Sequence, residues 1–349
     1  LQIIQIVKNF GLIGGMEEYA FRLTEELVSA GMEVVVLCER QHGDSPAGVR
    51  IREFGTHGKP HWVSHFRFSR KIDRWLERNP AGRRLVHSHE RQSSHQVSTF
   101  HTTPFDFDKK KKFIHRISPR HHLFERLEKR EIAGTTVRAV VPVSSNLKKM
   151  LESKHPESSQ TITSPIFPGV SFKAEHITRP QAPPADGGVI GFIGREWERK
   201  GLATVIEVWR ELKRRRPRLK LRIAGVNPGE IAHLVNQSTP DVEILGWIED
   251  KVSFYQGTDL LFHPASNEAF GMIIAEAMSI GVPILCSREC GASELVDNER
   301  GVHLPALAEK ESWLLAAEHL LGKPVPLKRF SRTWAQVSHE YLELYQKHI

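Results

Sequence analysis

The sequence predicts an α/β protein built as two successive parallel-sheet halves, on three observations. The chain has 349 residues, more than one hydrophobic core usually serves, so two domains are expected. Short apolar runs rich in β-branched residues alternate with segments of helical period, the pattern of a parallel sheet with helices on both faces. That alternation stops at 164–188, where prolines and glycines crowd "SPIFPGVSFKAEHITRPQAPPADGG", and then restarts.

The first half opens on "QIIQIV" (2–7), read as a first strand and not as a signal peptide, since it lacks a basic leading region and a small-residue cleavage site. Gly14-Gly15 turns the chain into the helix "EEYAFRLTEELVSAG", which ends at Gly31, a residue suited to the position just past a helix. The runs "EVVVLC" (33–38), "RLVHSHE" (84–90), "QVSTFHTT" (96–103) and "RAVVPVS" (138–144) supply further strands. After the break, "GVIGFIG" (188–194), "LKLRIAG" (219–225), "VEILG" (242–246), "DLLFHPA" (259–265) and "VPILCS" (282–287) read as strands. Helices are expected at 204–217, at 271–281 and at 332–349. Each half is therefore Rossmann-like, one spanning 1–170 and the other 180–325. Such sheets bind ligands at the carboxyl ends of their strands, so a cleft between the halves is the expected site.

Composition narrows the partners. Hydrophobic content of 40% and charged content of 26% are those of an ordinary globular chain. No apolar run approaches the roughly 18 residues needed to span a bilayer. Cys38, Cys286 and Cys290 are odd in number and lack metal-binding spacing, which suits small buried hydrophobes in a reducing cytoplasm. A net charge of +8 favours anionic partners, whether phosphates, nucleic acid or acidic headgroups.

The most informative stretch is "HPASNEAFGMIIAEAMSIGVPILCS" (263–287). Glu268 falls in a loop and Glu276 about one and a half turns into a helix. Phe270-Gly271 stands at that helix's N-terminus, where free N–H groups favour a phosphate and glycine permits close approach. Glu268 could merely complement the helix dipole and Glu276 could be solvated, but Ile273, Ile274, Ala275, Ala277 and Met278 leave Glu276 little polar face. The spacing fits carboxylates gripping hydroxyls beside a phosphate.

This stretch resembles the Glu-x7-Glu signature of the retaining glycosyltransferases of family 4, which have the GT-B fold of two Rossmann-like domains facing each other across a cleft. Other matches fall in order along nearly the whole chain. "GLIGGMEEYAFRLTEEL" is similar to the family's Gly-Gly-x-Glu segment, and "STFHTT" to its strand-end histidine segment. "FPGV" resembles the domain-linking Asn-Gly-Val, and "IGREWERKG" the Gly-Arg…Lys-Gly element. Among subgroups, the lipopolysaccharide core glucosyltransferases look most similar.

The resemblance implies transfer of a hexose, with retention, from a nucleotide sugar (a UDP-sugar foremost) to a glycan or lipid-linked acceptor. Neither cofactor nor obligatory metal is expected. The first half would bind the acceptor, the second half the donor, and the helix at 330–349 would pack back on the first half. Arg195 and Lys200 would neutralise the donor diphosphate, although both could be plain surface cations. Gly14 and Gly15 would offer backbone amides, and the turn at Ile248 would read the base. Glu268 would hold the sugar, Glu276 the ribose, and the amides of Gly271 and Met272 the phosphate beside Phe270. His101 would bond a sugar hydroxyl or stabilise positive charge. Two rivals stand beside this reading: a nucleotide-sugar epimerase of the same fold, and a non-catalytic nucleotide-sugar-binding protein at the membrane.

A second region, "DKKKKFIHRISPRHHLFERLEKREI" (108–132), interleaves cations with apolar residues. Lys109, Lys110, Lys111, Lys112, Arg116 and Arg120 are expected to face an anionic membrane. The family resemblance, which implies lipid-anchored acceptors modified from the cytoplasmic side, would place the protein peripherally on the inner face of the cytoplasmic membrane. A solvated charged helix is the alternative. No nucleic-acid motif accompanies the charge. His87 and His89, like His121 and His122, lack the further ligands of a metal site.

Overall fold

A computed structural model describes residues 1–56, 61–80, 82–105, 119–172, 183–235, 238–322 and 328–348. The chain divides into two compact units, Leu1–Gly169 with Arg332–Ile349, and Val170–Ser331.

In the first unit the strands are β1 (Gln2–Ile6), β2 (Asn9–Phe10), β3 (Glu33–Cys38), β4 (Arg40–Gln41), β5 (Arg50–Glu53), β6 (Arg84–Ser88), β7 (Val97–Phe100) and β8 (Ala139–Pro142). Its helices are α1 (Gly15–Ser29), α2 (His61–Arg78), α3 (Pro119–Ala133) and α4 (Ser145–Lys154). The main sheet is parallel in the order β5-β3-β1-β6-β7-β8, while β2 and β4 form a separate ribbon. Strand β1 is central and buried on both faces: Ile3, Ile4 and Ile6 are fully buried, as is the polar Gln5 among them. One core packs Ile4, Ile6, Val35, Leu37 and Val86 against Phe68, Ile72 and Leu76 of α2. Strand β5, "RIRE", is an exposed edge, blunted by its charges.

The second unit carries β9 (Gly187–Ile193), β10 (Arg218–Ala224), β11 (Val242–Gly246), β12 (Leu260–His263), β13 (Ile284–Ser287) and β14 (Gly301–Leu304). Its helices are α5 (Leu202–Arg215), α6 (Lys251–Gln256), α7 (Met272–Ile280) and α8 (Lys310–Leu321). This sheet is also parallel, in the order β11-β10-β9-β12-β13-β14. Ile190, Phe192, Leu221, Ile223 and Phe262 from the sheet meet Trp209 and Leu212 of α5 and Trp313 of α8 in its core.

Counted along the chain, both main sheets run third-second-first-fourth-fifth-sixth. In this doubly wound order ligands gather where the strand order reverses, outside the carboxyl ends of the two central strands. Those points lie after β1 and β6 in the first unit, and after β9 and β12 in the second.

The last helix, α9 (Trp334–His348), belongs to the first unit. Its buried Trp334, Tyr341 and Tyr345 face inward, and the Trp334 ring meets Tyr19 of α1 edge-on at 5.1 Å. Cys38, Cys286 and Cys290 are free and buried. No helix among the described residues is long and apolar enough to cross a membrane.

The segment read as a basic membrane-facing surface is only partly described. Lys109, Lys110, Lys111, Lys112 and Arg116 lie outside the described residues. Arg120 is exposed in the first turn of α3. Further along, α3 turns acids inward: Glu128 accepts from Lys154 Nζ at 2.6 Å and His155 Nε2 at 3.1 Å, and Glu131 Oε1 accepts from Ser98 Oγ at 2.9 Å. The described part of the segment is thus anchored by buried carboxylates, which its alternation of cations and apolar residues had concealed.

Candidate active site

In the second unit, two loops meet at the reversal point. After β9 the chain bends through Gly194 and a turn to Lys200; after β12 it runs from Pro264 to Glu268. Ser266 ties them together, its N–H donating to the Arg199 carbonyl at 2.9 Å. Gly194 has φ +157, and its missing side chain is filled by the stem of Lys200. The lysine stem is thereby laid across the end of β9, with its ammonium 3.7 Å from Glu268 Oε2. Arg199 donates to the same oxygen at 3.0 Å and to the Asn267 carbonyl. Two cations therefore converge on one carboxylate.

Burial opposes ionisation of Glu268, but His263, Lys200 and Arg199 prevail and hold its carboxyl down at about 2. His263 ends β12, fully buried, and burial keeps its ring neutral. Its Nε2 faces Glu268 Oε2 at 3.8 Å, longer than a full hydrogen bond but near enough for an N–H dipole to favour the carboxylate.

Gly271 caps α7 with φ +92, a left-handed conformation that favours glycine, and its backbone lies against Glu268 and Ile274. Phe270 is buried, and its carbonyl accepts from Ala292 N–H at 2.7 Å, so the approach to the helix start is fixed. Met272 opens the first turn. One turn on, Glu276 is 2% exposed and is not a solvated helix position. Lys251 Nζ donates to its Oε1 at 2.8 Å and Tyr255 to its Oε2 at 2.6 Å, both from α6.

Arg195 and Lys200 do not share a partner. Arg195 is exposed, and its guanidinium lies 5.7 Å from the centre of the Trp247 ring, itself 61% exposed at the end of β11. Ile248 follows, half-buried. Arg199, which sequence reasoning passed over, takes the place beside Lys200. Its only signal was adjacency to Lys200 in "REWERKG", and nothing in that string says which arginine turns inward.

In the first unit, Gly14 caps α1 in an extended conformation (φ −166) that any residue can adopt, and Gly15 begins the helix. At the ends of β6 and β7, three histidines are joined into a buried polar layer. His89 lies between Gln5 Oε1, 2.6 Å from its Nε2, and His101 Nε2, 2.9 Å from its Nδ1. Burial keeps His87, His89 and His101 neutral, pulling His101 down to about 3 although the residue as a whole is only half-buried.

His87 belongs to a chain whose proton direction is fixed from one end. The Ile166 carbonyl can only accept, so Tyr19 donates to it (3.3 Å) and Tyr341 donates to Tyr19 (3.1 Å). Thr99 must then donate to Tyr341 (2.5 Å), His87 Nε2–H to Thr99 (2.7 Å), and Tyr345 to His87 Nδ1 (2.6 Å). Both nitrogens of His87 and of His89 are occupied by protein partners. Glu90, just beyond β6, accepts from the Lys8 N–H at 3.0 Å, and burial raises its carboxyl to about 7.

Comparison with known proteins agrees with this architecture. The model of glycosyltransferase family 4 matches residues 13–166, and that of glycosyl transferases group 1 matches 174–332. A capsular polysaccharide biosynthesis glycosyltransferase, CapM of Staphylococcus aureus, is 28% identical over 147 residues, which are 39% of this chain and 38% of that one. The chain spans less than half the length of the first curated relatives it matches. Among solved structures, WaaG, a glycosyltransferase involved in lipopolysaccharide biosynthesis, superposes with a TM-score of 0.80 at 16% identity, covering 98% of this chain and 95% of its own. HepE of Anabaena, in complex with UDP-glucose, gives a TM-score of 0.67 at 14% identity, covering 99% of both chains. These likenesses show the fold, GT-B.

Proposed function

The chain belongs to the glycosyltransferases, family 4 in its first half and group 1 in its second, and we propose that it is a retaining hexosyltransferase. The donor is a nucleotide sugar, with UDP-sugars the first choice, and the acceptor a glycan or glycolipid of the cell envelope. The observation that carries this reading is the pair of cations, Lys200 and Arg199, meeting Glu268 where the strand order of the second sheet reverses. The UDP-glucose held by HepE supports the donor class, and the parts that WaaG and CapM play in lipopolysaccharide and capsular polysaccharide biosynthesis support an envelope glycan such as the lipopolysaccharide core.

The chemistry follows from charge. Breaking the bond between sugar and diphosphate builds negative charge on the leaving group. Lys200 and Arg199 would stabilise that charge more as it grows, assisted by the first-turn amides of α7 at Gly271 and Met272, while Arg195 on the exposed side would add a screened charge that attracts the donor diphosphate. As the cations turn toward the diphosphate, Glu268 is released to accept hydroxyls of the sugar. Glu276 would accept the ribose hydroxyls with the lone pairs that Lys251 and Tyr255 leave over. The turn at Ile248 would read the base. Gly14 and Gly15 would offer their amides to the donor phosphate or the acceptor, and His101 would bond a sugar hydroxyl. The fixed cations supply positive charge in the place of a metal, so full activity in EDTA is expected.

Peripheral contact with an anionic membrane is supported by the run of cations at 109–120, and it would put the protein on the inner face of the cytoplasmic membrane. Sedimentation with phosphatidylglycerol vesicles tests this: neutralising Lys109–Lys112 should release the protein. The transferase reading is tested by supplying UDP- and GDP-hexoses with truncated envelope glycans. Nuclear magnetic resonance should show a product that keeps the donor's anomeric configuration. A donor epimerised without acceptor, or bound without turnover, would overturn it.

A further inference from the structure

The layer of histidines in the first unit fixes which nitrogen of His101 carries a proton. Its inner end is Gln5, on the central strand β1 and fully buried. Its Oε1 stands 2.6 Å from His89 Nε2. So short a contact suits an oxygen acceptor and is too tight for the nitrogen–nitrogen bond that a turned-over amide would make. His89 therefore donates from Nε2.

A neutral imidazole has one N–H, so His89 Nδ1 carries a lone pair. The atom facing that lone pair, at 2.9 Å, is His101 Nε2. To bond, His101 must be protonated there, which leaves its Nδ1 as a bare acceptor. The rings of His87 and His89, 4.5 Å apart, and of His89 and His101, 5.2 Å apart, hold the three in one layer, and Tyr19 packs edge-on against His101 at 4.9 Å. None of these rings can turn without breaking a buried bond and leaving a polar group unpaired.

We propose that Gln5 and His89 are positioning residues that lock His101 as its Nε2–H tautomer, so that His101 meets the sugar substrate as a hydrogen-bond acceptor through Nδ1. The ligand class at this position is then a neutral hydroxyl donor, and the ring does not act as a cation. This rests on the transferase reading for the identity of the hydroxyl, but the tautomer itself does not. The other histidine of the layer cannot take over the role, because both nitrogens of His87 are bound to Tyr345 and Thr99.

The test is nitrogen-15 resonance of the full-length protein labelled at histidine. At neutral pH, His101 should show a protonated Nε2 and an unprotonated Nδ1. Gln5→Met removes the acceptor oxygen and should leave His101 a mixture of tautomers, with kcat/KM for transfer reduced about tenfold, the worth of one hydrogen bond. A Gln5→Met amide spectrum unchanged away from the histidine layer, with a melting temperature near wild type, separates this effect from a loss of folding. A proton on His101 Nδ1 would overturn the proposal, as would an unchanged tautomer in Gln5→Met. A protein with the stated tautomer that transfers no sugar would leave the positioning intact and refute the transferase reading instead.

Discussion

The two units share a strand order but fill its reversal point with opposite chemistry. In the second unit, fixed charges converge there: Lys200 and Arg199 on the carboxylate of Glu268, held down at about 2. In the first, the corresponding strand ends carry neutral imidazoles and phenols bonded to one another, and the nearby carboxyl of Glu90 is pushed up to about 7. A doubly wound sheet therefore supplies a place and not a chemistry. Charge suits a group that gains charge during the reaction; a neutral, directional layer suits recognition of hydroxyls.

The contrast breaks most visibly at Lys200. Lys200→Ala removes the cation laid across Gly194 and leaves Arg199 on Glu268, so folding should survive. Transfer should fall by about 10²–10³ in kcat, the scale for losing one preorganised group that stabilises developing charge. Steady-state kinetics beside a melting curve checks this; wild-type turnover would take the diphosphate away from this site.

Much of the geometry of the second unit's candidate site was legible in the sequence because its residues are local. Glu268, Gly271 and Glu276 occupy one loop and helix, and Gly194 and Lys200 one turn, so their spacing carries their geometry. Arg199 was not legible, since two arginines flank the same turn and only folding decides which one reaches the 266–268 loop. Glu276's partners come from α6, and no pattern in α7 announces them. The histidine layer was opaque for a stronger reason. His87, His89 and His101 sit on neighbouring strands, but their bonds run to Gln5 on β1 and to Tyr341 and Tyr345 on a helix at the far end of the chain. Strand β5 escaped the sequence reading because it buries almost nothing.

Buried carboxyls give a second way to separate the units. Burial raises Glu131 of the first unit to about 8, so the folded state favours its neutral form. The stability this confers is complete below the ordinary carboxylate range and is lost as pH rises through 8. Glu90 acts in the same sense up to about 7. Glu268 in the second unit has the opposite sign: its contribution is present above the ordinary range and is lost as pH falls toward 2. The buried neutral histidines act in the opposite sense below about pH 6.5. Stability should therefore decline only above about pH 7, by ~1.4 kcal/mol per pH unit until Glu131 ionises near 8, and melting temperature with it. In Glu131→Gln, whose amide can still accept from Ser98, that decline should flatten. An unaltered slope would show that Glu131 is not kept neutral.

Glu276 tests whether a residue tied into the fold also holds ligand. Glu276→Gln keeps shape and an acceptor but loses the charge facing Lys251 and Tyr255. The Lys251 side chain is a third exposed, so the ion pair contributes modestly, about 1 kcal/mol. Affinity for UDP, measured by calorimetry, should fall about tenfold through loss of charge-assisted bonds to the ribose. A changed melting point with unchanged affinity would make Glu276 purely structural.

The smallest effect is expected at Arg195, and it sharpens the contrast inside the second unit. Arg195 shares the Gly-Arg…Lys-Gly element with Lys200, but its guanidinium lies over Trp247 on an exposed surface and meets no carboxylate among the described residues. Held this way it contributes a screened charge and an exposed cation–π contact of about 0.5–1 kcal/mol. Arg195→Ala should therefore raise the donor KM only about two- to fivefold and leave kcat near wild type. Trp247→Ala should do about the same, and the double variant little more, because each residue acts through the other. If Arg195→Ala instead matched Lys200→Ala in kcat, Arg195 would have to leave Trp247 and join the diphosphate during the reaction. Quenching of Trp247 fluorescence, relieved when UDP is added, would report that movement directly.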